Sequence, residues 1–148
     1  MKKQTYTLVA TMMFIAVIGV SSAKAQTGPT IMRVDIPFTF SVGEQTLPAG
    51  EYRVTCVKAA SDLKMLQLRE KAGGATVLVR TSSLTGNTHD NAQLIFNRYG
   101  EQYFFAQAWL PGNNVGMQAR KSTREKVTIR ELARVKRGPE VVAVAANR

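Results

Sequence analysis

Val34, Ile36, Phe38, Phe40 and Val42 are apolar at every second position, and Asp35, Thr39 and Ser41 stand between them. A strand turns successive side chains to opposite faces, so the segment predicts one buried face and one wet face. Pro37 falls among the wet positions. It has no N–H to give to a ladder, which places this strand at a sheet edge or at a bulge. Gly43-Glu44 ends the run, Leu47-Pro48-Ala49-Gly50 reads as a turn, and Tyr52, Val54 and Cys56 resume the alternation. Further strands are predicted at Lys64–Glu70, with Leu66 and Leu68 on one face, and at Ala75–Thr81, with Val77 and Val79 on one face. Ala92–Asn97 and Gln102–Leu110 flank Arg98-Tyr99-Gly100-Glu101, a hairpin signal with Gly100 at its tip. Ser82–Asn91 reads as a polar loop, and Pro111–Asn114 as a further turn or loop.

Short runs at close spacing with glycine-rich turns predict a mainly β chain. The expected fold is a single antiparallel β-sandwich or barrel-like domain of about 7–8 short strands. The connections are too short for the crossover helices of a parallel sheet.

The character changes near the C-terminus. Ser122-Thr123-Arg124-Glu125 has the form of a capping box, in which Ser and Glu satisfy each other's free amides. A helix within 122–137, from about Thr123 to Lys136, would be stopped by Gly138-Pro139. On it Ile129, Leu132 and Val135 gather on one side, and Lys126, Arg130, Arg134 and Arg137 form a basic stripe roughly opposite. Residues 138–148, with Glu140–Ala146 the apolar part, read as a last strand or a loose tail.

The N-terminus carries an address. Lys2 and Lys3 precede a mostly apolar run from Leu8 to Val20, and Ala23-Lys24-Ala25 has the small-x-small form of a cleavage site. These are the marks of a cleavable secretory signal over residues 1–25. A spanning helix needs roughly 20 apolar residues, more than this run supplies. The expectation is export to the periplasm or beyond, with residues 26–148 forming one domain.

Charge then narrows the partners. The chain has 20 Lys and Arg against 10 Asp and Glu, and without Lys2, Lys3 and Lys24 the mature part keeps a formal charge of +7. Export argues against nucleic acid, so an anionic envelope component or a partner protein is the expected counterpart. Cys56 is the only cysteine, which excludes an intramolecular disulfide; its strand parity with Tyr52 and Val54 predicts burial.

Candidate chemistry is sparse. His89, the only histidine, lies beside Asp90 in a polar loop, with no nucleophile motif around it, and reads as a solvated loop residue. One His and one Cys are too few for a zinc site, and the ten acids are too dispersed for a calcium loop. No metal, cofactor or catalytic residue is assigned. Tyr103, Phe105, Gln107 and Trp109 share one parity, while Phe104, Ala106 and Ala108 share the other. Both faces of this strand therefore carry aromatic or apolar area. It serves the core, with Phe104 under the helix or a loop, or else an exposed platform.

The stretch IPFTFSVGEQTLPAGEYRV, together with LIFNRYGEQYFFAQAWLPG and RKSTREK, resembles a family of small secreted acidobacterial proteins. These share the pattern P-F-x-F-x-V-G-x-x-x-L-P-A-G-x-Y-x-V. The resemblance covers Val34 to about Arg124. It implies export and a β-rich domain and supplies no catalytic or binding residue.

The expected function is that of an exported, non-catalytic envelope or extracellular binding module. The basic stripe Lys126, Arg130, Arg134 and Arg137 reads as a solvated face, as a candidate anionic-surface site or as a dock for an acidic partner. One alternative is a small-ligand carrier, whose barrel cavity would be lined by small residues among Val77, Val79, Ala106 and Ala108. Another is a hydrolase using His89 or a carboxylate pair such as Glu101 with Glu51 or Asp62.

Overall fold

The structure, a computed structural model, describes residues 30–58, 64–134 and 138–147. The predicted signal segment, Asp62, Val135 and Arg137 lie outside them. Ten strands and one helix follow in chain order: β1 (Thr30–Ile36), β2 (Phe40–Val42), β3 (Gln45–Leu47), β4 (Gly50–Lys58), β5 (Lys64–Glu70), β6 (Thr76–Thr85), β7 (Gln93–Tyr99), β8 (Gln102–Trp109), β9 (Val115–Ala119), α1 (Thr123–Ala133) and β10 (Glu140–Asn147).

Eight of the strands close on themselves. The ring runs β1–β4–β5–β6–β9–β8–β7–β10 and back to β1, with every neighbour antiparallel. Closure pairs both sides of each strand and removes the free edges of an open sheet. The choice between sandwich and barrel is thereby decided for the barrel. The final segment is a strand, not a tail: β10 pairs with β7 from Glu140↔Arg98 to Ala145↔Gln93 and meets β1 at Val34↔Ala146.

Two-residue alternation sorts the two faces. Val34, Ile36, Tyr52, Val54, Leu66, Leu68, Leu94 and Phe96 are all fully buried inside the ring. Outward positions on the same strands include Arg33, Asp35, Arg53 and Arg69, all exposed. Apolar in and polar out is the reverse of a membrane-spanning barrel, which faces lipid with its apolar side. The interior is filled by side chains: Val77, Val79, Ala108 and Met117 join Phe96, Phe105 and the aliphatic residues in one cluster. Cys56, half-buried and unpaired, packs against that cluster opposite Leu66.

The alternation from Val34 to Val42 is not one strand. The ladder stops at Ile36, and Pro37–Thr39 carries the chain away from the ring. Pro37 ends β1 where only one side is paired: β4 follows the strand to Ile36, whereas β10 meets it only at Arg33 and Val34. β2 and β3 then make a short hairpin, Phe40↔Leu47 to Val42↔Gln45, with β2 parallel to β8 at Phe40↔Tyr103. The hairpin extends through Leu47, which shortens the predicted turn to Pro48-Ala49. Its Phe40, Val42 and Leu47 are buried in the core. Phe40 meets Tyr52 and Phe96 edge to face, and the Tyr52 hydroxyl donates to the Pro48 carbonyl at 2.7 Å. Phe38 stacks on Tyr103 with centroids 3.9 Å apart, and the Arg98 guanidinium lies 5.5 Å from the other ring's centroid. The apolar positions of the stretch from Pro37 to Val54 therefore serve to plug and close the barrel.

Three further segments depart from the sequence reading. β6 continues through Thr85, so the first four residues of the expected polar loop are strand, held by β9 from Thr81↔Ala119 to Thr85↔Val115. β9 is a strand beyond the predicted ones, its Val115, Met117 and Ala119 alternating with Gly116 and Gln118 over only five residues. In β8 the register slips opposite Ile95/Phe96, where Phe96 pairs with Phe105 and Ile95 with Gln107. That bulge reverses the parity on either side of Ala106. Phe105 and Ala108 consequently both join the core, whereas Phe104 and Trp109 are buried outside the ring.

Candidate anionic-surface interface

Helix α1 is the one helix among the described residues, and its start is fixed by several polar contacts. Ser122 Oγ accepts from the Glu125 amide at 3.0 Å, as an N-cap should. The Thr123 amide donates to Glu44 Oε1 at 2.8 Å, and Arg124 Nη1 donates to Thr46 Oγ1 at 2.9 Å. The turn between β2 and β3 therefore holds the helix N-terminus, and the Glu44 carboxylate sits where the helix dipole favours an anion.

Only half of the expected capping box forms. The Glu125 side chain does not return to Ser122; its Oε1 accepts from Asn97 Nδ2 at 3.0 Å and from the Tyr99 hydroxyl at 3.1 Å. Glu125 is only 3% exposed. The hydroxyl of Thr128, one turn on, is also buried and donates to Gln102 Oε1. Phe104 pairs with Asn97 across the ladder and meets Tyr99 edge to face at 5.7 Å. The helix therefore seats a polar stripe, Glu125 and Thr128, on an aromatic wall, with Ile129 and Leu132 half-buried beside it. Burial and the neighbouring Glu125 carboxylate raise the Tyr99 pKa to about 12. Burial, with Glu70 nearby, does the same for Tyr52.

This seating decides what faces water. Lys126, Arg130 and Arg134 are all exposed and recur every fourth residue, one above another on the helix surface. Arg137, the fourth member of the predicted stripe, is outside the described residues. Glu131 is the only exposed carboxylate on α1. The helix follows directly on Arg120-Lys121, and these two line an open concavity of about 480 Å³ with Arg80, Ser82 and Gln118 of β6 and β9. Cations thus continue from the barrel wall onto the helix. At neutral pH such groups attract phosphate, sulfate or carboxylate oxygens, with arginine able to bind them through two parallel N–H donors.

His89 is not the solvated residue that its polar surroundings suggest. It is half-buried, its Nδ1 lies 2.9 Å from Gln93 Nε2, and its ring meets Trp109 edge to face at 5.0 Å. Trp109 in turn covers Gly86 and Gly116. A Cβ at either position would come within 2.6 or 2.7 Å of the indole, so both must lack a side chain. The imidazole is held by an amide and an indole, neither of which serves as an acid, base or nucleophile at neutral pH. No three His, Cys, Asp or Glu side chains converge among the described residues, and no described helix is long and apolar enough to cross a membrane.

Compared with known proteins, the chain matches no family model, no curated protein and no solved structure.

Proposed function

We propose that the protein is an exported, non-catalytic β-barrel module that attaches to an anionic envelope or extracellular surface through the basic face of α1. One observation carries this reading: the helix turns Glu125 and Thr128 inward and leaves Lys126, Arg130 and Arg134 in an exposed row. A signal peptide over residues 1–25 accounts for export, and the resemblance to small secreted acidobacterial proteins points the same way. The filled interior favours surface binding over carriage of a small ligand inside the barrel.

Near an anionic bilayer each cation contributes about 1 kcal/mol. Three cations correspond to roughly a hundredfold in affinity. Co-sedimentation with phosphatidylglycerol vesicles is expected at low salt, with loss at high salt and no sedimentation with phosphatidylcholine vesicles. The combined variant Lys126→Gln, Arg130→Gln, Arg134→Gln is expected to lose the binding while keeping its β circular dichroism. Equal sedimentation of variant and wild type would refute the reading.

A further inference from the structure

On the far side of the barrel, three arginines stand in register. Arg33 of β1 pairs with Arg53 of β4, and Arg53 pairs with Arg69 of β5. All three are outward and exposed. Residues directly opposite on antiparallel strands have Cβ atoms about 5 Å apart, and like charges there repel. The row therefore contains two unfavourable cross-strand pairs in succession. Among the described residues none of the three guanidinium groups is within ion-pair distance of a carboxylate. Of the nearby acids, Glu51 is bridged to Lys71 at 2.6 Å and Glu70 Oε2 accepts from the Ala75 amide at 3.2 Å, while Asp35, outward on β1 opposite Glu51, forms no ion pair among the described residues. The three arginines and Lys71 line an open concavity of about 300 Å³ together with Glu51 and Glu70, four cations against two carboxylates. In the ring β4 is four strands from β8 in either direction, so this wall lies across the barrel from the helix.

We propose that this wall is a binding site for linked phosphate groups, with Arg33, Arg53 and Arg69 as its ligating residues. Strands lie about 4.8 Å apart, so the row spans about 10 Å. A row spread along three strands favours an anion that carries oxyanions along its length, as a chain of phosphates does, over a lone orthophosphate. Each guanidinium offers a planar fork that fits two phosphate oxygens. The bound anion removes the repulsion built into the row, so this site is expected to bind at Arg53 first and most strongly. It is independent of the α1 surface and persists whether or not that surface binds membranes.

Inorganic tripolyphosphate is the probe, titrated calorimetrically into the full mature chain at about 0.15 M salt. Saturable one-to-one binding is expected, weakened about tenfold or more by Arg53→Gln, less by Arg53→Lys, and less than about twofold by Arg130→Gln. Competition by vesicles containing diphosphorylated phosphatidylinositol would identify a headgroup as the source of the phosphates; failure to compete would identify a free oligophosphate. Circular dichroism melting checks that Arg53→Gln folds, and without anion its Tm should not fall below that of wild type. Absence of saturable binding, or equal losses in Arg53→Gln and Arg130→Gln, would overturn the proposal.

Discussion

On the β7–β8 wall, Asn97 and Tyr99 point outward and are met by Glu125 from α1, which accepts a hydrogen bond from each. On the β1–β4–β5 wall, Arg33, Arg53 and Arg69 point outward and meet no carboxylate of the described chain. Both walls belong to one barrel, and both face away from the same apolar core. The first wall is completed by the protein's own helix. The second keeps two arginine–arginine pairs side by side without an ion-pair partner among the described residues. A buried polar group has to be satisfied within the fold because water cannot reach it. An exposed arginine has no such requirement, so an unmatched row of them is tolerated and remains available for a ligand.

The largest expected effect lies on the covered wall. Phe104 is 2% exposed, and Phe104→Ala should cost about 3–5 kcal/mol in urea unfolding, comparable with a core phenylalanine. A cost near zero would mean that the helix does not cover this face. Next, Glu125→Ala removes the shared acceptor and leaves the buried Tyr99 hydroxyl and the half-buried Asn97 amide without a partner, at about 2–3 kcal/mol. Glu125→Gln retains an amide oxygen and should cost less. If the two variants are equally stable, the carboxylate's hydrogen bonds do not hold the helix.

The third effect is one of pH. Tyr52 and Tyr99 have pKa values raised from 10.0 to about 12. Between those values the unfolded chain has released protons that the folded chain retains, so stability present below pH 10 is lost as pH rises towards 12. Tyr99→Phe should flatten part of this decline, by on the order of 1–2 kcal/mol at the alkaline end. A decline unchanged in Tyr99→Phe would place the alkaline sensitivity elsewhere. The smallest effect belongs to the bare wall. Arg53→Gln should raise stability at low salt by about 0.5 kcal/mol, and the gain should vanish near about 1 M salt. Destabilisation instead would show that the arginines already have partners.

Much of this arrangement could be read from the chain itself. The inward residues of β4, β5 and β6 follow from alternation, and Gly100, with φ of 62°, sits at the hairpin tip where a left-handed residue is needed. The Ser122 cap and the exposure of Lys126, Arg130 and Arg134 follow from helical spacing. The remainder depends on which strand lies beside which. Glu125 resembled a local cap partner, and only the docking of α1 on β7 gives it Asn97 and Tyr99. A bulge opposite Ile95/Phe96 sent Phe104 and Trp109 outward, and nothing local to β8 announces it. The arginine row is a property of register between segments up to 36 positions apart, and each arginine viewed alone is an ordinary wet-face residue.

The contrast between the walls is tested most directly by amide-resolved NMR on the mature chain during a tripolyphosphate titration. The account predicts saturable shifts at Arg33, Arg53 and Arg69 and their strand neighbours, with Asn97, Tyr99 and Glu125 unmoved. Shifts spread evenly over all exposed cations, or centred on the β7–α1 contact, would contradict it.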